Sequence, residues 1–396
     1  MSHQKLRVLL TSVVPPRNDC GVRIVMHRQL VERNPFELHV VSNADFADDA
    51  LVHTPLRFPY FIRRVRKSRF GPRLAAWITD YENFVWPLTT NTALEAAVEN
   101  FKPHVVLTLA ECGLCHVARK TAQRHRLPLV GLFLDWFPVM RGHYGHTSTQ
   151  PSLNRHFREL YAACDLAFCT SDGMQEALGP HPNSHVIYPM PGRHCVPEKP
   201  WPPTTGKFRL VYVGSVQNFY GRMLCSLIEK IEATKDLEII VVGPNADWPP
   251  PILQRAKANG IYLGFKSPEE AAGVMASADA LLVVMSFESE HELFMRTSFT
   301  TKFLDYVKFG RPVVLWGPDY CTAVHVARKH GGAVVVNDGD PEAVVFACRR
   351  IAEDVAWGTQ LSHEATRLHQ TLFNPERLQA IFVNEIEKLG GNRAEK

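Results

Sequence analysis

Short runs of Val, Ile and Leu recur along the chain, each followed by a longer stretch whose apolar residues return at helical spacing. This alternation predicts parallel sheets covered by helices on both faces. The pattern occurs twice. In the first half the predicted strands are Leu6 to Val13, Leu38 to Ser42, Val105 to Leu109, Leu129 to Leu134, Leu166 to Cys169 and Val186 to Tyr188. In the second they are Arg209 to Val213, Glu238 to Val242, Ile261 to Leu263, Ala280 to Met285, Pro312 to Trp316 and Ala333 to Val336. Between the halves, Pro189, Pro191, Pro197, Pro200, Pro202 and Pro203 allow no regular element to continue and read as a linker. The chain therefore divides into residues 1–190, a linker 191–206, residues 207–372 and a tail 373–396, where Pro375 to Leu389 has the spacing of an amphipathic helix.

Length and composition support two domains, because 396 residues, 45% hydrophobic and 21% charged, exceed one core and match ordinary globular domains, and the alternation makes each of them a Rossmann-like α/β domain. A net charge of +4 does not argue for nucleic acid. The nine cysteines are odd in number and scattered, and Met1 to Leu6 leads into the strand-like Arg7 to Val14 without an apolar leader. A cytoplasmic protein with reduced thiols is expected. The glycine fingerprint of dinucleotide-binding domains is absent after the first strand, and the second strand ends in Ser42-Asn43 rather than an acid, which disfavours NAD.

Residues 298 to 314 carry the most chemistry, since they join a polar helix start to a buried strand. Thr300 and Thr301 are placed to cap a helix beginning near Lys302, and Gly310 ends it before the apolar run Pro312 to Trp316. Lys302 adds a full positive charge to a helix terminus that already attracts anions, and Asp305 offers a bidentate acceptor suited to ribose hydroxyls. Thr301-Lys302, Asp305-Tyr306 and Gly310-Arg311-Pro312-Val313 together resemble the donor-binding signature of retaining glycosyltransferases of family 4. The resemblance implies a GT-B architecture, two Rossmann-like parallel-sheet domains facing a central cleft, with a C-terminal helix that crosses back to the N-terminal domain. It also implies a nucleotide-diphosphate sugar as donor, a retained anomeric configuration, and no cofactor or metal.

The same resemblance extends to other positions. Cys20-Gly21-Val22 after the first strand keeps one glycine of the pair that family members often show, and Val213-Gly214-Ser215 followed by Tyr220-Gly221-Arg222 resembles the family's glycine turn and phosphate-binding basic residue. Gly214 also fits a plain strand-to-helix turn, and Arg222 a solvated helix position. Of the two Glu residues that the family spaces by seven others, Asp305 takes the second position, and the first falls on Thr297. Glu288, Glu290 or Glu292 could substitute, or form a solvated acidic loop. Base recognition is expected from backbone groups around Gly264, Phe265 and Lys266.

Phe133-Leu134-Asp135-Trp136-Phe137-Pro138 resembles the Asp-x-Trp-Pro segment of a bacterial subgroup that transfers N-acetylated sugars in surface polysaccharide assembly. It implies that Asp135 binds a sugar or acceptor hydroxyl and Trp136 stacks on a sugar face; a capping Asp with core aromatics is the other reading. Arg141, His143 and His146 follow in a polar loop, with His143 as the acceptor-side candidate.

Cys112-Gly-Leu-Cys115-His116 matches a haem attachment pattern that needs export, and Asp338-Gly-Asp340 before Pro341 reads better as a helix cap than as a metal site. From Arg57 to Arg73 there are seven basic residues and no acidic one, interleaved with Phe58, Tyr60, Phe61, Ile62, Val65 and Phe70. That composition suits an anionic membrane surface and proximity to a lipid-linked acceptor, although a solvated basic loop has the same composition; the resemblance itself leaves a glycan, lipid-linked or small-molecule acceptor open. A GT-B binding or scaffold protein without catalysis, or a sugar-nucleotide epimerase, are the competing functions.

Overall fold

The apolar runs fold as parallel strands with helical crossovers. The computed structural model describes residues 5–18, 21–43, 51–89, 91–140, 142–193, 201 and 206–391. Two units account for them, the chain up to Tyr188 with the segment from Glu376, and Pro189–Pro375. Most of the expected linker, including Pro197, Pro200, Pro202 and Pro203, lies outside the described residues.

Unit one contains β1 (Arg7–Thr11), β2 (Glu37–Ser42), β3 (Val52–Pro55), β4 (Val105–Leu109), β5 (Leu129–Phe133), β6 (Leu166–Cys169) and β7 (Ser184–Val186), in the spatial order β3-β2-β1-β4-β5-β6-β7. Every pairing is parallel. All residues of β4 and β5 are buried, as a sheet covered on both faces requires. The helix Leu114–His125 buries Leu114, Val117, Ala118, Thr121 and Ala122, the three- and four-residue spacing of one face. The tail forms the helix Pro375–Gly391, and its Phe382, fully buried, meets Phe36 at 6.1 Å and Phe168 at 5.0 Å between ring centroids.

Unit two contains β8 (Phe208–Val213), β9 (Leu237–Val242), β10 (Ala280–Val284), β11 (Val313–Trp316) and β12 (Val334–Val336), all parallel in the order β12-β11-β10-β8-β9. Three expectations change. Ile261 to Leu263 is not a strand, because Tyr262 makes a single bridge to Val241 before Gly264 turns the chain at φ +69°. The expected Val186 to Tyr188 strand lies earlier, at Ser184–Val186, and β3 was not anticipated. Asp340 caps the helix Pro341–Glu353 through the Glu342 N–H, as its sequence suggested.

Candidate functional site

Open parallel sheets bind ligands beyond the carboxyl ends of their strands, where strand order reverses. In unit two that reversal falls between β8 and β10. Their ladder joins only Ala280 to Leu210 and Leu281 to Val211, so the backbone of Val213 is left without a strand partner on that side. The Tyr306 hydroxyl fills the gap, accepting from the Val213 N–H and donating to the Val213 carbonyl, each at 2.8 Å. Tyr306 thereby fastens the helix Thr301–Val307 to the end of β8.

Lys302 sits one turn before Tyr306, on the same side of that helix. Its side chain runs past Gly214, where an added Cβ would come within 2.2 Å of Lys302 Cε and where φ is +151°. The φ calls for glycine, and any larger residue would also displace the end of the lysine side chain. The ammonium lies 4.2 Å from the ring centroid of Tyr220 and 5.6 Å from that of Tyr212. Burial lowers the Lys302 pKa to about 8, and among the described residues no carboxylate pairs with it. A partly desolvated cation held over tyrosine rings without an anion is a strong attractor for a phosphate.

The surrounding candidates are placed less uniformly. The helix begins at Thr301, and Thr300 stands at the cap position without the expected side-chain hydrogen bond. Asp305 accepts the Gly192 N–H at 2.9 Å, while Lys308 donates to the Gly192 carbonyl at 3.2 Å. One Asp305 oxygen therefore holds the chain entering unit two. Arg222 and Glu288 form a forked pair, with contacts of 3.1, 2.6 and 2.8 Å. His291 joins them, 3.3 Å from Glu288 and 2.9 Å from Ser286 Oγ. Glu290 lies 3.7 Å from His291, Glu292 pairs with Arg296, and Thr297 is fully buried with its hydroxyl on the Leu293 carbonyl. Ser215 is exposed, and its carbonyl accepts from Tyr212. Phe265 is 74% exposed beside Gly264, and Lys266 pairs with Glu270 at 3.6 Å.

In unit one the order reverses between β1 and β4. Gly21 has φ +55° and open space where a side chain would go. Asp135 follows β5, and its charge, after burial itself, helps raise the Glu111 carboxyl at the end of β4 to a pKa of about 7. Glu111 was missed by the sequence reading, although the strand-end rule that selected Asp135 applies to it equally. His143 is brought to this group, 3.5 Å from Glu111 and 3.6 Å from the Cys112 sulfur, and burial lowers its pKa. Trp136 is 1% exposed; its indole N–H donates to Asn154 at 2.7 Å and its ring packs on Phe157 and Arg158. With neither face open, Trp136 builds the core beneath the loop and offers no stacking platform for a sugar. His146 pairs with Asp80 at 2.6 Å, within a set of bonds from Gly145 and Thr149 that fixes this loop. Arg141 lies outside the described residues.

Residues 207–354 match the family model of group 1 glycosyl transferases. No curated protein matches the chain in sequence. Among solved structures it is similar to HepE of Anabaena in complex with UDP and glucose, with a TM-score of 0.66 at 15% identity over 97% of this chain and 100% of that one. Sucrose-phosphate synthase from Thermosynechococcus elongatus gives 0.66 at 14% identity over 98% and 100%. WaaG, a glycosyltransferase involved in lipopolysaccharide biosynthesis, gives 0.58 at 12% identity over 96% and 98%.

Proposed function

From a GT-B fold whose second unit matches group 1 glycosyl transferases, we propose that this protein transfers a sugar from a nucleotide-diphosphate donor to a glycan, lipid-linked or small-molecule acceptor, with retention of anomeric configuration. The carrying observation is Lys302, an uncompensated ammonium over Tyr220 beside Gly214, at the strand reversal of unit two. UDP in the HepE structure makes a uridine donor the first to test.

Breaking the bond between sugar and diphosphate leaves negative charge on the departing phosphate. Lys302 stabilises that charge, and Arg222 joins it by turning one side of its fork away from Glu288. Each charge-assisted hydrogen bond contributes about 1.5 to 3 kcal/mol. The backbone at Gly214 and Ser215 approaches the phosphates, Asp305 and the Thr300-Thr301 helix start hold the donor, and the Gly264 to Lys266 turn receives the base. In unit one, Gly21 offers a backbone free to approach a phosphate, and Asp135 and His143 bind the acceptor. The departing phosphate accepts the acceptor's proton on the same face, so no separate base and no metal are needed at the donor.

Lys302→Ala is expected to lower turnover at least about 100-fold, equal to about 2.7 kcal/mol of transition-state stabilisation, with the fold intact by circular dichroism. Near-normal turnover would refute the assignment. The exposed aromatic and basic surface around residues 57–73 supports peripheral contact with an anionic membrane, which places the enzyme beside a lipid-linked acceptor.

A further inference from the structure

Two stretches of unit one that are distant in sequence bring three different ligand types together. Glu111 and Cys112 follow β4, and His143 lies in the loop beyond β5. One ligand atom of each lies within 4.8 Å of the other two. His143 Nδ1 is their common neighbour, 3.5 Å from Glu111 Oε1 and 3.6 Å from Cys112 Sγ.

These separations have the size of tetrahedral edges. With metal-to-nitrogen and metal-to-oxygen bonds of about 2.0 to 2.2 Å and a metal-to-sulfur bond of about 2.3 Å, tetrahedral geometry sets nitrogen and oxygen about 3.4 Å apart and nitrogen and sulfur about 3.5 Å apart. Hydrogen bonding alone satisfies the group poorly. A ring nitrogen carries either one proton or one lone pair, so Nδ1 cannot donate to the carboxylate and accept from the thiol at once. A cation among the three replaces that competition with three bonds.

Both stretches are held by the same neighbouring segment. A Cβ at Gly113 would come within 2.0 Å of the Glu82 carbonyl, so the turn after Cys112 lies directly on residue 82. The next residue, Asn83, donates to the His143 carbonyl at 2.7 Å. The Cys115 thiol donates to the Cys112 carbonyl at 2.9 Å, which leaves Cys112 as the sulfur of the cluster. The side chains of His143 and Glu111 keep 24% and 19% exposure, enough for an ion to enter.

We propose that Glu111, Cys112 and His143 form a three-ligand site for a zinc-class divalent ion, with its fourth position open to water or an oxygen of a bound ligand. Thiolate with imidazole selects zinc-class metals over magnesium and calcium, which prefer oxygen ligands throughout. On binding, Cys112 gives its thiol proton to solvent and the carboxylate and imidazole contribute lone pairs. The site is independent of the proposed donor chemistry at Lys302, and either stands without the other.

The test uses the full chain, stripped with chelator under reducing conditions and titrated with Co²⁺. A near-ultraviolet thiolate-to-cobalt charge-transfer band is expected, saturating at one ion per chain and bleached by one equivalent of Zn²⁺. Cys112→Ser is expected to abolish the band while Cys115→Ser keeps it, and His143→Ala to weaken Zn²⁺ binding at least about 10-fold. Alkylation of the wild type, mapped by mass spectrometry, gives a readout that needs no variant to fold, with Zn²⁺ shielding Cys112. A wild type without the band, a band that survives in a folded Cys112→Ser protein, or Cys112 alkylated equally with and without Zn²⁺ would each overturn the proposal.

Discussion

At Lys302, burial and charge oppose each other in a way that pH can separate. Its pKa falls from 10.5 to about 8 because the folded chain desolvates the ammonium. Between those values the unfolded chain holds a proton that the folded chain has released, so stability rises with pH from about 8 to about 10.5 and the burial penalty is complete below 8. Lys302→Met is therefore expected to raise the thermal midpoint at pH 7 while it abolishes most turnover. Activity runs the other way: kcat/KM should fall as pH rises through about 8, where the ammonium is lost. Lys302→Arg, which stays charged at every accessible pH, should remove that limb of the pH profile even with lower activity, and an unchanged limb would assign it to another group. The place of Lys302 in the first turn of a helix was legible because a lysine beside hydroxyls at a helix start is a local pattern. The closed environment of Trp136 and the raised pKa of Glu111 were not, since the burial of the first and the Asp135 charge beside the second arise only when separate strands meet, although the strand-end position of Glu111 was there to be read.

At the scale of elements, the position of Lys302 depends on one glycine and one tyrosine. Gly214→Ala would drive a methyl group into the lysine side chain, at a φ that side chains rarely adopt. A loss of about 10- to 100-fold in kcat/KM is expected, with cooperative unfolding preserved, and steady-state kinetics beside urea denaturation measures both. Phe382→Ala tests the tail helix, since its fully buried ring fills space between Phe36 and Phe168. A stability loss of about 3 to 5 kcal/mol by urea unfolding is expected, without a selective effect on donor binding. Most strands were legible because buried parallel strands are nearly continuous apolar runs, as in β4, β5 and β10. The exceptions have physical reasons. Val52–Pro55 is a sheet edge with no buried residue, so its strand state comes from pairing with β2 and leaves no apolar run to read. Ile261 to Leu263 is apolar enough for a strand but makes one bridge before Gly264 diverts it.

At the scale of the whole molecule, the described surface carries a concentration of apolar and basic side chains that the sheets do not need. The helices Tyr60–Arg66 and Gly71–Asp80, with Phe70 at the cap between them, leave Tyr60 69%, Phe61 57%, Phe70 46% and Trp77 67% exposed, whereas an amphipathic pair serving only the core would bury them. Cations lie against these rings, with Arg63 6.0 Å from the Tyr60 centroid and Arg69 4.7 Å from that of Phe70. Arg66 is different, because it pairs with Glu82 at 2.5 Å and has less charge to offer a second anion. No helix among the described residues is long and apolar enough to cross a membrane, so contact of this kind would rest on the surface. Aromatic rings entering the headgroup boundary and arginines facing anionic lipid act together, each cation adding up to about 1 kcal/mol at low salt. The protein should sediment with vesicles containing anionic lipid and remain in the supernatant with neutral ones. Raising the salt, which shortens the screening length to about 8 Å at 0.15 M, should weaken the attachment, and Phe61→Ser with Trp77→Ser should weaken it at any salt. Arg63→Glu with Arg64→Glu should remove the preference for anionic lipid, whereas Arg66→Glu should cost less of it, and equal losses from the two substitutions would count against the pairing argument. If vesicles containing anionic lipid leave the protein in solution at low salt, this surface does not bind membranes.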